Sequence, residues 1–222
     1  QFENAKYIDF FITATDLQNK ILNEQFKNYT HDSPRIRTIP VGSLHQLIYP
    51  QEPRMPFSII TASRLASEKH VDWIALAVIK ARKALPELTF DIYGHGPEQE
   101  RIENIIQEHH AQDYIRLKGH VNLQDVYRHY QLFVAASQSE GFGLTLMEAV
   151  GSGLGMIGFD VNYGSPTFIK DAHNGYLIPI NLDRESINDV TDHMATKIIQ
   201  YFEKGPSHPH LSLIHISEPT RL

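Results

Sequence analysis

Ser137–Gly153 reads SQSEGFGLTLMEAVGSG. It joins an acidic, glycine-broken loop (Glu140-Gly141-Phe142-Gly143) to a nearly all-apolar helical run, Leu144 to Val150, that carries one charge, Glu148. A carboxylate flanked by Leu144, Leu146, Met147, Ala149 and Val150 is drawn toward the interior, where it is costly unless hydrogen-bonded. Hydroxyl groups of a ligand satisfy it. The helix start, from Leu144 on, is also an anion site, because Gly141 and Gly143 let the backbone approach closely and the first amides have no intrahelical partner. At a rise of about 1.5 Å per residue, Glu140 and Glu148 are separated by roughly 12 Å. That is the span from a sugar to a ribose across a diphosphate, so one nucleotide-sugar reaches both.

Outward from this stretch the chain alternates strand and helix. Strands are predicted at Phe57–Ala62, Phe90–Tyr93, Tyr114–Leu117, Leu132–Ala136 and Met156–Phe159, with an edge strand at Tyr176–Pro179. Between and after them fall helices at Val71–Leu85, Glu98–Gln107, Leu123–Tyr130, Ser165–Ile169 and Ile187–Phe202. The rhythm predicts a doubly wound α/β domain with a parallel sheet covered on both faces. Ligands of such sheets sit beyond the carboxyl ends of the strands. That rule selects the loops Ser63–His70, Gly94–Pro97, Lys118–Val121, Ser137–Gly143 and Asp160–Ser165.

Upstream, Tyr7–Ile12 is apolar enough for a buried strand, and Thr15-Asp16 can cap a helix through Leu17, Ile21, Leu22 and Phe26. Ile36–Val41 is a second short strand, and Gly42–Pro56, with Pro50, Pro53 and Pro56, reads as a connector. The division expected is therefore 1–50 as the end of a preceding domain, 51–205 as the ligand-binding domain, and 206–222 as a tail. Residues 211–222, LSLIHISEPTRL, look like the translation of a sequencing-library adapter and are expected to be disordered. The opening residue is Gln1 rather than Met, which reads as a piece of a longer protein.

Composition excludes several classes. A net charge of -6 with no basic stripe argues against nucleic-acid binding. The absence of cysteine removes disulfides, thiolate metal sites and cysteine nucleophiles, which fits a reducing compartment. Neither Asp-x-Asp nor a helical His-x-x-x-His pair occurs, so no metal and no cofactor is expected.

Arg64 and Lys69, in SRLASEKH after the first strand of the domain, suit a diphosphate facing the Glu140 loop. The competing reading is a solvated loop in which Glu68 neutralises Lys69. Gly94-His95-Gly96 reads as a structural turn, and His120 as a hydrogen-bonding crevice residue with backbone free to pair with a base edge.

The chain resembles a family at these residues. Glu140, seven residues, then Glu148, preceded by SRLASEKH and followed by GSG, looks like the donor-binding domain of a retaining glycosyltransferase of family 4, the C-terminal Rossmann-like half of a GT-B fold. More narrowly, SEGFGLTLMEAVGSG, IGFDVNYGSPTFI and NGYLIPI are similar to catalytic subunits of bacterial transferases that add N-acetylglucosamine to serine-rich adhesins. Poly(glycerol-phosphate) glucosyltransferases of teichoic acid synthesis are the rival, and a sugar-nucleotide epimerase on the same plan a more distant one. The resemblance implies a UDP-sugar donor, a protein or teichoic-acid hydroxyl acceptor, and a homologous non-catalytic partner subunit. It implies a cytoplasmic enzyme, peripheral at the inner membrane face, and a chain inactive without its other domain. By it Arg64 and Lys69 hold the diphosphate, His120 and Val121 contact uracil, and Glu140, Gly141, Phe142 and Gly143 hold the sugar, Glu140 being catalytic. Leu144 joins this set at the helix start, and Glu148 takes the ribose hydroxyls. One departure falls at Leu154-Gly155, where relatives carry a proline.

Overall fold

The computed structural model describes residues 7–27, 35–39 and 53–205. The expected connector, up to Glu52, and the tail from Pro206 lie outside the described residues.

A small parallel unit comes first: β1 (Phe10–Thr13), α1 (Asp16–Lys27) and β2 (Arg35–Thr38). The helix is capped as its sequence requires. Gln18 N donates to Thr15 Oγ1 at 3.1 Å, and Thr15 N donates back to Gln18 Oε1 at 3.2 Å. The strand expected at 7–12 is displaced to β1, and it is not buried: Phe10 and Ile12 are 48% and 68% exposed. Among the described residues β1 pairs with β2 alone, and two strands under one helix leave their other face in solvent.

The main sheet is built on β3 (Ser58–Ala62), whose five residues are all buried. Ile59 joins one core, while Ile60 and Ala62 join the other, so this strand needs cover on both sides. The sheet is completed by β4 (Thr89–Tyr93), β5 (Ile115–Gly119), β6 (Leu132–Val134), β7 (Gly155–Phe159) and β8 (Gly175–Ile178). Its order is β5-β4-β3-β6-β7-β8, parallel throughout, with β8 at the edge as the sequence suggested. One face carries α2 (Val71–Ala81), α3 (Gln99–Glu108) and α6 (Ile187–Lys204). The other carries α4 (Leu144–Gly151), α5 (Gly164–Phe168) and the segment around Tyr127. The doubly wound, Rossmann-like sheet is thus present.

Two helices differ from expectation. α2 stops at Ala81 rather than Leu85, because Leu85 precedes Pro86, whose ring disfavours helical backbone before it. Leu123–Tyr130 is not an α-helix but turns ending in one 3₁₀ turn, Tyr127–His129. Three-residue periodicity places Tyr127 and Tyr130 on the same side, and both are buried, 1% and 4% exposed. α6 begins with a capping box the sequence reading did not single out, Ser186 and Asp189. No helix among the described residues is long and apolar enough to cross a membrane.

Candidate functional site

From β3 the chain moves outward through β4 to β5, then returns to β6 and moves the other way to β8. The carboxyl ends of β3 and β6 therefore flank the point where strand order reverses, which is where such sheets open a crevice. The loops leaving them are the two that the sequence marked most strongly, and the structure joins them. Lys69 Nζ donates to Glu140 Oε2 at 2.7 Å, with the two side chains 23% and 20% exposed. Gln138 N donates to Glu68 O at 3.3 Å, so the backbones are tied as well. A cleft between them is lined by Ser63, Lys69, Ser137, Glu140 and Thr145.

Arg64 lies apart from this pair. Its side chain is 70% exposed and its guanidinium meets Glu68 Oε1 at 2.6 Å. The sequence reading set both cations on one diphosphate, with Glu68 neutralising Lys69 as the alternative; in the structure Glu68 takes Arg64, and Lys69 takes Glu140. Spacing explains the swap. Arg64 and Glu68 are four residues apart on the same loop and meet locally, whereas the 3₁₀ turn Ser67–Lys69 carries Lys69 toward Glu140.

Glu140 is fixed through its backbone by the loop after β7. Its N–H donates to Asn162 O at 3.1 Å, and its carbonyl accepts from Tyr163 N at 2.6 Å and Gly164 N at 2.8 Å. Gly164 is needed for that approach, since a Cβ there would meet Glu140 Cγ at 2.9 Å and the Phe142 carbonyl. Phe142 sets its ring edge-on to Phe168 at 5.3 Å. From the N-terminal unit, Gln18 Nε2 donates to Gly141 O at 2.7 Å. Glu140 thus sits in an extended bridge with Tyr163, ahead of α4, and the helical rise used above to space it from Glu148 does not apply to it.

At the head of α4, Gly143 has φ 87° and no side chain caps the helix. A Cβ at Gly143 would meet Leu146 Cδ1 at 2.8 Å and Glu140 Cγ at 3.1 Å, so glycine is demanded twice over. At Gly141 a Cβ would meet nothing within 4 Å, and the space beside it is open. Leu144 is 47% exposed at this helix tip. The uncapped amides and the helix dipole make the tip favourable for an anion.

Glu148, one turn on, is half-buried and accepts from the Tyr127 hydroxyl through Oε2 at 3.2 Å. Burial pushes its carboxyl above the usual glutamate value, and the Tyr127 hydrogen bond opposes that. On the far side, His120 and Val121 are exposed beyond β5, and His120 N donates to His95 Nε2 at 3.2 Å. The Gly94-His95-Gly96 turn is structural, as read. Leu65 N donates to His95 O at 2.9 Å, and a side chain at Gly94 or Gly96 would strike the carbonyls of Ser63 and Leu65.

Sequence reasoning selected the loops that hold Ser63, His70 and the Asn162–Gly164 strap but gave these residues no role, and it missed Tyr127. Ser63 Oγ and His70 Nε2 are buried without a hydrogen-bond partner among the described residues, both on the loop after β3. His70 lies stacked on Trp73 at 3.7 Å, and burial lowers its imidazole pKa. The signals available were slight: a serine directly at a strand end, and tyrosines three apart in a polar stretch. The departure at Leu154-Gly155 has a packing reason, because a side chain at Gly155 would overlap the Tyr201 ring, whose hydroxyl donates to Gln131 O at 3.0 Å.

A doubly wound sheet with this crevice defines a Rossmann-like α/β domain, and comparison with known proteins gives its family. The chain belongs to the glycosyl transferases group 1 family, whose sequence model matches residues 50–197. It is 56% identical over 209 residues to the UDP-N-acetylglucosamine–peptide N-acetylglucosaminyltransferase GtfA subunit of Streptococcus gordonii, covering 92% of this chain and 40% of that protein. The crystal structure of the pneumococcal O-GlcNAc transferase GtfA in complex with UDP and GlcNAc superposes with a TM-score of 0.90 at 53% identity, over 96% of this chain and 42% of that one. The crystal structure of a GtfA/B complex matches with a TM-score of 0.89 at 52% identity, over 97% of this chain and 44% of that one. The chain thus spans about 40% of the length of the relatives it matches.

Proposed function

We propose that residues 51–205 are the donor-binding domain of a retaining glycosyltransferase that takes N-acetylglucosamine from its UDP ester and transfers it to a hydroxyl of a protein, a serine or threonine of a surface adhesin. Residues 1–50 are then the end of the acceptor-side domain, and the chain needs the rest of that domain to turn over. The observation that carries the reading is the contact between Lys69 and Glu140 at the switch point, beside the uncapped tip of α4. A cation and a carboxylate sharing one cleft suit a ligand in which a diphosphate adjoins a sugar.

In this reading the diphosphate takes the place of Glu140 on Lys69. The freed carboxylate then orients the sugar hydroxyls, with Gly141, Phe142, Gly143 and Leu144 around them. As the glycosidic bond breaks, negative charge collects on UDP, and Lys69, the α4 amides and Arg64 stabilise it. Arg64 must leave Glu68 to take part, which an exposed ion pair allows at little cost. The departing phosphate oxygen accepts the proton of the incoming hydroxyl. Glu148 holds the ribose, and His120 with Val121 faces the base. No metal or other cofactor enters the scheme. A homologous partner subunit and a peripheral place at the inner membrane face complete the proposal; the similar GtfA/B structure, itself a complex, supports a partner.

Calorimetric titration of the chain with UDP, together with UDP release by the whole enzyme with and without a serine-rich peptide, tests it. Saturable binding and peptide-dependent release are expected. Absence of UDP binding, or release indifferent to peptide, would refute the reading.

A further inference from the structure

Tyr127 is 1% exposed and its ring packs against Phe133 at 6.1 Å between centroids, yet its hydroxyl reaches out of the core to Glu148 Oε2 at 3.2 Å. Among the described residues that is the hydrogen bond the Glu148 side chain makes, and its other carboxylate oxygen, Oε1, is left for something else. The tyrosine itself is held firmly. Directly after the same 3₁₀ turn, Tyr130 enters the same core cluster, where its hydroxyl donates to the buried Asp91 at 2.5 Å and meets Tyr93 Oη at 3.0 Å. Asp91 in turn is tied to Arg116 Nε at 2.7 Å. A segment pinned to β4 by one tyrosine therefore aims the other at a carboxylate on α4.

We propose that Tyr127 is a positioning residue for Glu148: it fixes Oε2 and so presents Oε1 to the ribose hydroxyls of a bound uridine nucleotide. The inference rests on the reading of Glu148 given above and adds the residue that orients it. A half-buried carboxylate with two free oxygens rotates and is drawn toward its protonated form. A hydrogen bond from a rigid phenol restrains that rotation and opposes the pull toward the protonated form, without outweighing burial. Among the described residues Tyr127 is the titratable side chain that acts on Glu148, against the effect of burial.

The test uses the 222-residue chain and two probes, UDP and 2′-deoxy-UDP, whose affinity ratio cancels titration of the phosphates. In the unaltered chain UDP is expected to bind about tenfold better than its deoxy analogue, the size of one hydrogen bond to a charged group. Glu148→Gln removes most of that preference. Tyr127→Phe, which keeps the ring in place, reduces it severalfold and moves the pH at which it fades on acidification upward, because burial then acts on Glu148 unopposed. In the Glu148→Gln chain the same Tyr127→Phe change has little further effect. Tyr130→Phe, which removes the tie of the same segment to Asp91, is expected to lower the unfolding midpoint and to reduce the ratio less than Tyr127→Phe does.

A Tyr127→Phe chain with the ratio and its pH profile intact, or one whose loss is equal in both backgrounds, overturns the proposal and leaves the reading of Glu148 standing. A Glu148→Gln chain with full ribose preference overturns that reading and this inference with it. Should Tyr127→Phe not fold, proton exchange of the Tyr127 hydroxyl in the unaltered chain decides: slow exchange supports the hydrogen bond, and fast exchange overturns it.

Discussion

Glu140 and Glu148 lie eight positions apart in one motif, yet the structure supports them in opposite ways. Glu140 stands in a loop, its backbone clamped by residues 162–164 and its charge met by Lys69. Glu148 stands on a helix, its charge met by a neutral phenol and raised in pKa by burial. The first carboxylate is therefore neutralised by a partner that an incoming anion can take away. The second has a partner that no anion competes for. Environment, not residue type, separates a carboxylate that changes partner on ligand binding from one that keeps its place.

Mutation of the two acids tests that contrast most severely. Glu140→Gln in the whole enzyme is expected to lower turnover about a hundredfold or more while UDP affinity stays within about threefold. Equal loss of both would make Glu140 a binding residue only. Glu148→Gln should show the reverse, a UDP affinity lower by about tenfold with turnover at saturating donor largely kept. Steady-state kinetics beside calorimetry separates the two patterns.

Smaller effects sharpen the comparison. Arg64→Ala is expected to weaken UDP binding severalfold and to move folding stability by less than about 0.5 kcal/mol, since its pair with Glu68 is exposed. Unchanged UDP affinity would remove Arg64 from the site. The smallest effect concerns pH and stability. The Glu148 carboxyl is raised above its ordinary value in the folded chain, so its ionisation there opposes folding at neutral pH, and protonation relieves that opposition as pH falls through the raised value. Glu148→Gln should accordingly raise the unfolding midpoint slightly at pH 7, and the gain should shrink on acidification toward 4.5. A gain that grows with acid would mean the carboxylate is stabilised in the fold.

Much of the sheet could be read from the chain because a strand covered on both faces is apolar along its length. FSIITA and LFVAA announce β3 and β6 without help from their neighbours. The start of α1 was legible at Thr15, whereas its partner Gln18 was not singled out, and the end of α2 was less so, because Pro86 acts from beyond the helix. Tyr127–Tyr130 misled because apolar residues three apart fit an α-helix as well as a 3₁₀ turn, and only the core they enter distinguishes the two. In the N-terminal unit YIDFFI was read as buried, but burial depends on what packs against a strand and not on the strand itself.

The sequence by itself determined the parallel α/β architecture, the glycine-hinged acidic loop and the partly buried carboxylate of α4, because periodicity and backbone permission are local properties. Only the tertiary structure decided the partners. That Lys69 reaches Glu140 across 71 residues, and that Tyr127 is the group behind Glu148, follow from which elements lie side by side. Contacts at that separation are fixed by the order β3-β6-β7 in the sheet, which brings three loops to one residue, and no local pattern in the chain encodes that order.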